Sequence, residues 1–415
     1  MKIEAIKGMS DVLPPESENW QTVEQLAREV FRTYDFQEIR TPIVEPTELF
    51  VRSVGETTDV VQKEMYTFKD RKGLSLTLRP EGTASVVRAY IQASLSSKDP
   101  IAKLYYFGPM YRYEQPQKGR KREFYQIGVE LLGAETPLAD AEVLMLLEQL
   151  FLKVGVTDTN LEINSLGCKN CRPDYIKAIQ KFLKGKLNKF CDDCQKRSQK
   201  NPLRILDCKK EGCRKLTEDI PLVSDFWCVE CHQHFREVRG LLLAGHVKFK
   251  ENPRIVRGLD YYCRTTFEVL SDRLGAQNAV AAGGRYDGLV KDLGGPDVPG
   301  VGFAIGMERL MMLVSTNPEP RTPNPKPLIY FALLGSEAQQ KAMSVIQELR
   351  AKGQSVGCAY GGSLKSQMRR ADKLNASHVV ILGENEVVKG IAIVKEMETG
   401  NQKEVLLGRL VEELS

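Results

Sequence analysis

Five prolines within twelve residues, Thr316-Asn-Pro-Glu-Pro-Arg-Thr-Pro-Asn-Pro-Lys-Pro327, limit this chain more than any other feature. Proline lacks an amide hydrogen and fixes φ, so neither a helix interior nor a central strand can run through the stretch. It reads as a linker with separate folding units on either side. Beyond it, strand (328–334), helix (336–352), strand (354–360), helix (363–376) and strand (378–382) alternate as a small α/β unit. Ahead of it the chain, 415 residues in all, has length for more than one core.

The bulk numbers exclude some classes. Hydrophobic content of 42% and charged content of 27% are those of a soluble globular protein, and no apolar run approaches the roughly 20 residues of a membrane span. No membrane partner is expected. The opening MKIEAIKGMSDVLPP lacks the apolar core of a signal peptide, so the cytoplasm is the expected location. A net charge of +5 names no partner, but its distribution is uneven. Cys168–Leu216 holds 15 Lys and Arg against 5 Asp and Glu. Such a local excess marks either a surface for a polyanion such as RNA or a solvated helical face.

Residues 17–34 space Trp20, Val23, Leu26, Ala27 and Val30 as an amphipathic helix. A strand is expected over Phe36–Val44, confined by Pro42 to an edge or interface. Strands follow at Glu64–Phe68 and Ser75–Leu78, a helix from near Glu81, and strands at Lys103–Tyr113 and Phe124–Leu132. Thr136-Pro137 is a helix start, with the helix running to about Val154. Strands resume over 254–270.

Four segments carry chemistry. Arg257-Gly-Leu-Asp-Tyr-Tyr-Cys-Arg-Thr-Thr-Phe-Glu268 packs two arginines, two tyrosines and two carboxylates into twelve residues. As a strand it would point Arg257, Leu259 and Tyr261 one way and Gly258, Asp260 and Tyr262 the other. It suits a small polar ligand with phosphates, or ordinary surface salt bridges. Tyr106–Glu130 reads as two strands flanking a loop with Pro116, Gly119 and four basic residues. Pro299-Gly-Val-Gly-Phe-Ala-Ile-Gly306-Met-Glu308-Arg309-Leu is a glycine-rich strand-to-helix turn. The cysteine pairs Cys168/Cys171 and Cys191/Cys194 form C-x₂-C-x₁₉-C-x₂-C, a spacing that fits one four-thiolate zinc site. Cys208/Cys213 and Cys228/Cys231, with His232 and His234 nearby, offer a second; reduced thiols without metal are the other reading. Cys263 and Cys358 are expected as buried small hydrophobes.

The Arg257–Glu268 segment resembles the one peculiar to histidyl-tRNA synthetases, and the other segments resemble motifs 2 and 3 of class II aminoacyl-tRNA synthetases. Residues 17–46 then resemble motif 1, the dimer-forming helix and strand. The fold implied is an α+β class II catalytic domain, an antiparallel sheet flanked by helices, in two parts (1–166 and 246–315). Between them lies a basic, Cys-rich insertion (167–245); the linker (316–327) leads to a C-terminal α/β anticodon-binding domain (328–415). The activity implied is histidine–tRNA ligation with ATP, L-histidine and tRNA(His) as partners, Mg²⁺ accompanying ATP, in a homodimer.

The resemblance assigns Arg112 to the ATP α-phosphate, Glu114 to ATP and Arg309 to the γ-phosphate. Arg257 joins Arg112 as a catalytic residue. Leu78-Arg-Pro-Glu-Gly-Thr83 matches the segment in which Glu81 and Thr83 meet the substrate's α-amino group, helped by Gln126. Glu130 and Tyr262 match the pair that binds the imidazole nitrogens, with Arg257 and Tyr261 completing the histidine pocket. Carboxylate and phenol together discriminate histidine from residues of its size. Lys121, Tyr125 and Cys263 depart from the family pattern, which leaves the pocket intact and touches only details of acceptor-stem reading. The resemblance offers no support for zinc. The alternative is the non-catalytic paralogue that regulates ATP phosphoribosyltransferase; it lacks the anticodon domain, whereas here the tail and Arg112, Glu130, Arg257 and Arg309 are present.

Overall fold

The structure is a computed structural model that describes residues 3–56, 58–117, 119–275, 278–314 and 328–415. The linker expected at 316–327 lies outside them. The chain divides into two compact units, Met1–Thr316 and Asn317–Ser415.

In the first unit the strands are β1 (Gln37–Glu38), β2 (Val44–Pro46), β3 (Tyr66–Lys69), β4 (Ser75–Leu78), β5 (Ala102–Tyr111), β6 (Glu123–Leu132), β7 (Asn160–Ser165), β8 (Lys250–Glu251), β9 (Cys263–Leu270), β10 (Ala279–Arg285) and β11 (Gly300–Gly306). Eight of them form one sheet in the order β1-β5-β6-β11-β10-β9-β7-β8. Its interior pairs are antiparallel, while β1 and β8 add in parallel at the two edges. A second sheet has the order β2-β4-β3.

The strand expected over Phe36–Val44 is split: β1 joins the large sheet and β2 the small one. Pro42 falls in the gap, where it can offer no amide to either ladder. There the buried Arg79 guanidinium holds the Thr41 carbonyl at 3.1 Å and hydroxyl at 2.9 Å.

Alternation along β6 decides which face is core. Ile127, Val129 and Leu131 point into a cluster with Val301, Phe303 and Ile305 of β11. The helices Glu16–Thr33, Pro137–Lys153 and Val229–Ala244 cover this face with Trp20, Val23, Ala27, Leu144, Leu147, Phe235 and Val238. The same period turns Gln126, Gly128 and Glu130 to the other face. The segment between β7 and β8 carries the helices Arg172–Leu183, Asp192–Lys200 and Glu211–Leu216 around a smaller core of Tyr175, Ile179, Leu183, Phe190 and Ile205.

The second unit holds β12 (Ile329–Leu333), β13 (Val356–Cys358), β14 (His378–Leu382), β15 (Ile391–Glu396) and β16 (Gln402–Leu406) in the order β13-β12-β14-β15-β16. β12 pairs in parallel with β13 and β14 through the helices Ser336–Ala351 and Leu364–Lys373, as the alternation predicts. The antiparallel hairpin β15–β16 extends the sheet beyond the last element read from the sequence. No helix among the described residues is long and apolar enough to cross a membrane.

Candidate active site

The open face of the large sheet is floored by its smallest residues. Gly128, Ala304 and Ala282 stand in one cross-strand row, and Glu130, Gly302 and Gly284 in the next. Larger side chains there would fill the space. A Cβ on Gly302 would lie 2.2 Å from a Glu130 carboxylate oxygen, and one on Gly128 only 2.0 Å from the Tyr106 ring.

Above this floor is a cavity of 230 Å³. Its walls bring together Glu81, Thr83, Arg112, Glu114, Gln126, Arg257, Tyr261, Tyr262 and Arg309, all but one of the side chains singled out for ATP and histidine. The exception is Glu130. Its carboxylate is buried beneath the cavity, where Oε1 accepts from the Thr83 hydroxyl at 2.7 Å and Oε2 from Tyr286 Oη. Burial, reinforced by the Glu81 charge, outweighs these two donors and pushes the Glu130 carboxyl up to about 8. Glu81 itself caps the helix Thr83–Gln92, accepting from the Thr83 and Ala84 amides at 2.8 Å each. Its carboxyl is also raised by burial.

The Arg257–Tyr262 stretch is not a strand. It is an irregular turn ahead of β9, so the alternation expected for it fails. The physical reason is visible in its bonds. The Asp260 amide reaches the Val54 carbonyl at 3.1 Å, and the Asp260 carboxylate sits where a Cβ on Gly55 would stand, 2.3 Å away. That turn delivers Tyr261 and Tyr262 to the same cavity with ring centroids 4.6 Å apart, instead of to opposite faces. Half-buried Arg257 donates to Glu268 of β9 at 2.6 Å and lies 5.3 Å from the Tyr262 ring. Its Nε has no protein partner.

At the other end of the cavity Arg112 donates from Nε to the Pro80 carbonyl at 2.8 Å. Arg309 uses Nε and Nη1 on the carbonyls of Gly119 (2.9 Å) and Ala279 (2.6 Å). Burial first, then the nearby charges of Arg120 and Arg112, lower the Arg309 guanidinium below its usual range. Three cations pressed together against their own repulsion define a site for a polyanion. Glu114 pairs with Arg120 at 2.6 Å.

Tyr286 and Glu268, partners of Glu130 and Arg257, were not assigned from the sequence. Tyr286 stands between glycines in Gly283-Gly-Arg-Tyr-Asp-Gly288, which was the available signal. Cys263 and Cys358 are half-buried and not fully buried as expected.

The zinc set expected from spacing is not formed. Cys168 and Cys171 gather with Cys228 and Cys231, while Cys191 and Cys194 gather with Cys208 and Cys213. Chain proximity suggested the first two pairs as partners. The helix Val229–Ala244 instead returns to the sheet beside the end of β7 and brings Cys228 and Cys231 to the first pair.

The large sheet, the strand–loop–strand of β5 and β6 and the β11 turn at Arg309 are those of a class II aminoacyl-tRNA synthetase. Comparison with known proteins narrows the class. Residues 8–310 match the family model described as histidyl-tRNA synthetase, and residues 329–415 match that of an anticodon binding domain. The chain belongs to the histidyl-tRNA synthetase family. It is 51% identical to the histidine–tRNA ligase of Syntrophotalea carbinolica over 98% of this chain and 97% of that one. It is 53% identical to the ligase of Trichlorobacter lovleyi over 98% and 96%. The crystal structure of apo histidyl-tRNA synthetase from S. aureus superimposes with a TM-score of 0.83 at 35% identity, covering 100% of both chains. Matches of this extent favour the ligase over the regulatory paralogue.

Proposed function

We propose that this cavity binds histidine beside ATP and joins them through the residues gathered on its walls. The enzyme is a histidine–tRNA ligase. A histidine carboxylate oxygen attacks the ATP α-phosphorus, the bond to the β-phosphate oxygen breaks, and histidyl-adenylate and diphosphate form. The 3′-hydroxyl of tRNA(His) then attacks the histidyl carbonyl, AMP leaves and the hydroxyl proton passes to solvent. No protein nucleophile is needed, so catalysis is positioning and charge stabilisation.

Arg257 and Arg112 serve the α-phosphoryl oxygens, Arg309 the γ-phosphate and Glu114 the nucleotide. Glu81, Thr83 and Gln126 receive the α-amino group. Glu130 and Tyr262 take the two ring nitrogens, with Tyr261 packed beside them. When Glu130 is ionised, each of its carboxylate oxygens has a second acceptor site beyond the one in use. Glu114 and Glu308, both in the cavity wall, are oxygen donors suited to a hard cation. Mg²⁺ held there with ATP would neutralise charge on the β- and γ-phosphates. The observation that carries this reading is the convergence of Arg112, Arg257 and Arg309, from three distant segments, on one cavity that also holds Glu81, Gln126 and Tyr262.

The second unit contributes anticodon binding and the basic insertion a further tRNA surface. Exposed Ile43, Val44, Phe68 and Leu74 near the small sheet support a homodimer. All ten cysteines are free, which fits the cytoplasm. ATP–diphosphate exchange measured with each of the twenty amino acids tests the reading. Histidine should be the efficient substrate; equal exchange with another amino acid would refute the pocket assignment.

A further inference from the structure

The geometry points to two structural zinc ions in the insertion, each held by four thiolates. Together they brace the turn that carries Arg257, Tyr261 and Tyr262. The first is bound by Cys168, Cys171, Cys228 and Cys231, the second by Cys191, Cys194, Cys208 and Cys213. Within each group all four sulfurs lie within 4.8 Å of one another. A zinc–sulfur distance of about 2.3 Å sets the edge of a regular tetrahedron at about 3.8 Å. The separations Cys168–Cys171 (3.7 Å), Cys168–Cys228 (3.8 Å), Cys171–Cys231 (3.8 Å) and Cys191–Cys208 (3.9 Å) match that edge, and none is a disulfide. Backbone amides point at the sulfurs as well: Cys168 N–H to Cys171 Sγ at 3.1 Å and Cys191 N–H to Cys213 Sγ at 3.3 Å. Such bonds stabilise thiolates more than thiols. With four protein ligands each, both sites are closed and structural.

The placement explains what the ions do. Cys171, Cys191 and Cys228 each stand at the N-terminus of a helix, so a bound metal ties helix ends together. The first ion joins the two stems of the insertion beside β7. From there Arg172 donates to the Tyr262 carbonyl, and the backbones of Leu166 and Gly167 exchange hydrogen bonds with Arg264 at 2.7 and 2.9 Å. The stretch between Cys194 and Cys208 reaches the same turn from the other side. Asn201 donates to Asp260 at 2.8 Å and Arg204 to the Gly258 carbonyl at 3.1 Å. The turn has no strand ladder of its own. Its shape depends on an insertion whose small core gains order from metal anchors. Both metal sites are outside the cavity, so the role is positioning.

The metal assignment is independent of the catalytic reading; the bracing role rests on it. Full-length protein purified without chelator should contain two equivalents of zinc, Cys191→Ser/Cys194→Ser one, and Cys168→Ser/Cys228→Ser one. Cobalt exchanged into the wild type should show thiolate charge-transfer and tetrahedral ligand-field bands, a readout that needs no variant. Less than about a tenth of an equivalent of metal, stoichiometric iron in place of zinc, or a single equivalent would each overturn the two-zinc assignment. Removal of the metal should raise the KM for histidine in exchange by about tenfold, leave that for ATP unchanged, and be reversed by added zinc. Asn201→Ala should retain both ions yet raise the histidine KM several-fold. Histidine KM values unchanged in both experiments would overturn the bracing role.

Discussion

Replacing Glu130 with Gln isolates the free-energy cost of the carboxylate buried beneath the cavity. The Glu130 carboxyl is raised from its ordinary 4.5 to about 8, chiefly by burial. Below pH 4.5 the folded and unfolded states both hold the proton, and no cost arises. Between 4.5 and 8 the unfolded chain releases it while the folded protein keeps it, so stability falls as pH rises. Above 8 both states are ionised and the loss is complete. At about 1.4 kcal/mol per pH unit this amounts to about 5 kcal/mol, an order-of-magnitude figure. Gln keeps the shape, has one oxygen to accept from Thr83 or Tyr286, and does not titrate. The stability of Glu130→Gln relative to wild type should therefore climb from pH 5 to pH 8 and then level off. Both tryptophans, Trp20 and Trp227, lie in the first unit, so tryptophan fluorescence during urea unfolding reports that unit alone. The measurement is made without histidine and at one protein concentration, because a ligand or dimer partner bound to the folded state would add its own linkage. Parallel stability–pH curves for the two proteins would refute the buried-carboxylate argument.

Three further outcomes are expected. Arg257→Ala should lower ATP–diphosphate exchange by about 10²–10³-fold, the loss of one transition-state donor, and exchange within a few-fold of wild type would remove Arg257 from catalysis. Gly128→Ala forces a methyl into the Tyr106 ring and should cost about 1–3 kcal/mol in urea unfolding while weakening histidine binding; full stability would mean that the floor is not tightly packed. Truncation after residue 315 should preserve histidyl-adenylate formation but cripple charging of tRNA(His), and equal charging by truncated and full-length protein would refute the anticodon role of the second unit.

Local pattern carried much of the architecture. The helices Glu16–Thr33 and Pro137–Lys153, the strands β4, β5 and β6 and the α/β alternation of β12 to β14 follow from side-chain periodicity and proline placement, which act within a few residues. Of the ten residues that the motifs singled out for ATP and histidine, nine line one cavity, because each motif is a contiguous segment with a recognisable order of residues.

What the sequence could not reveal is set by contacts between distant segments. Tyr261 and Tyr262 share one cavity because the turn before β9 is held from outside by Val54 and by Arg172, Asn201 and Arg204, overriding strand alternation. The empty floor exists because Gly128 meets Ala304 and Ala282 in one row across three strands and Gly302 meets Gly284 in the next, and no single strand announces those rows. The cysteine partners were misjudged for the same reason. Spacing along the chain says which sulfurs are near in sequence. The return of the helix Val229–Ala244 to the end of β7 decides which are near in space. Periodicity and motif order are short-range properties that a chain carries unfolded; register, return paths and shared cavities arise only when the sheet closes and its ladder selects one pairing among many.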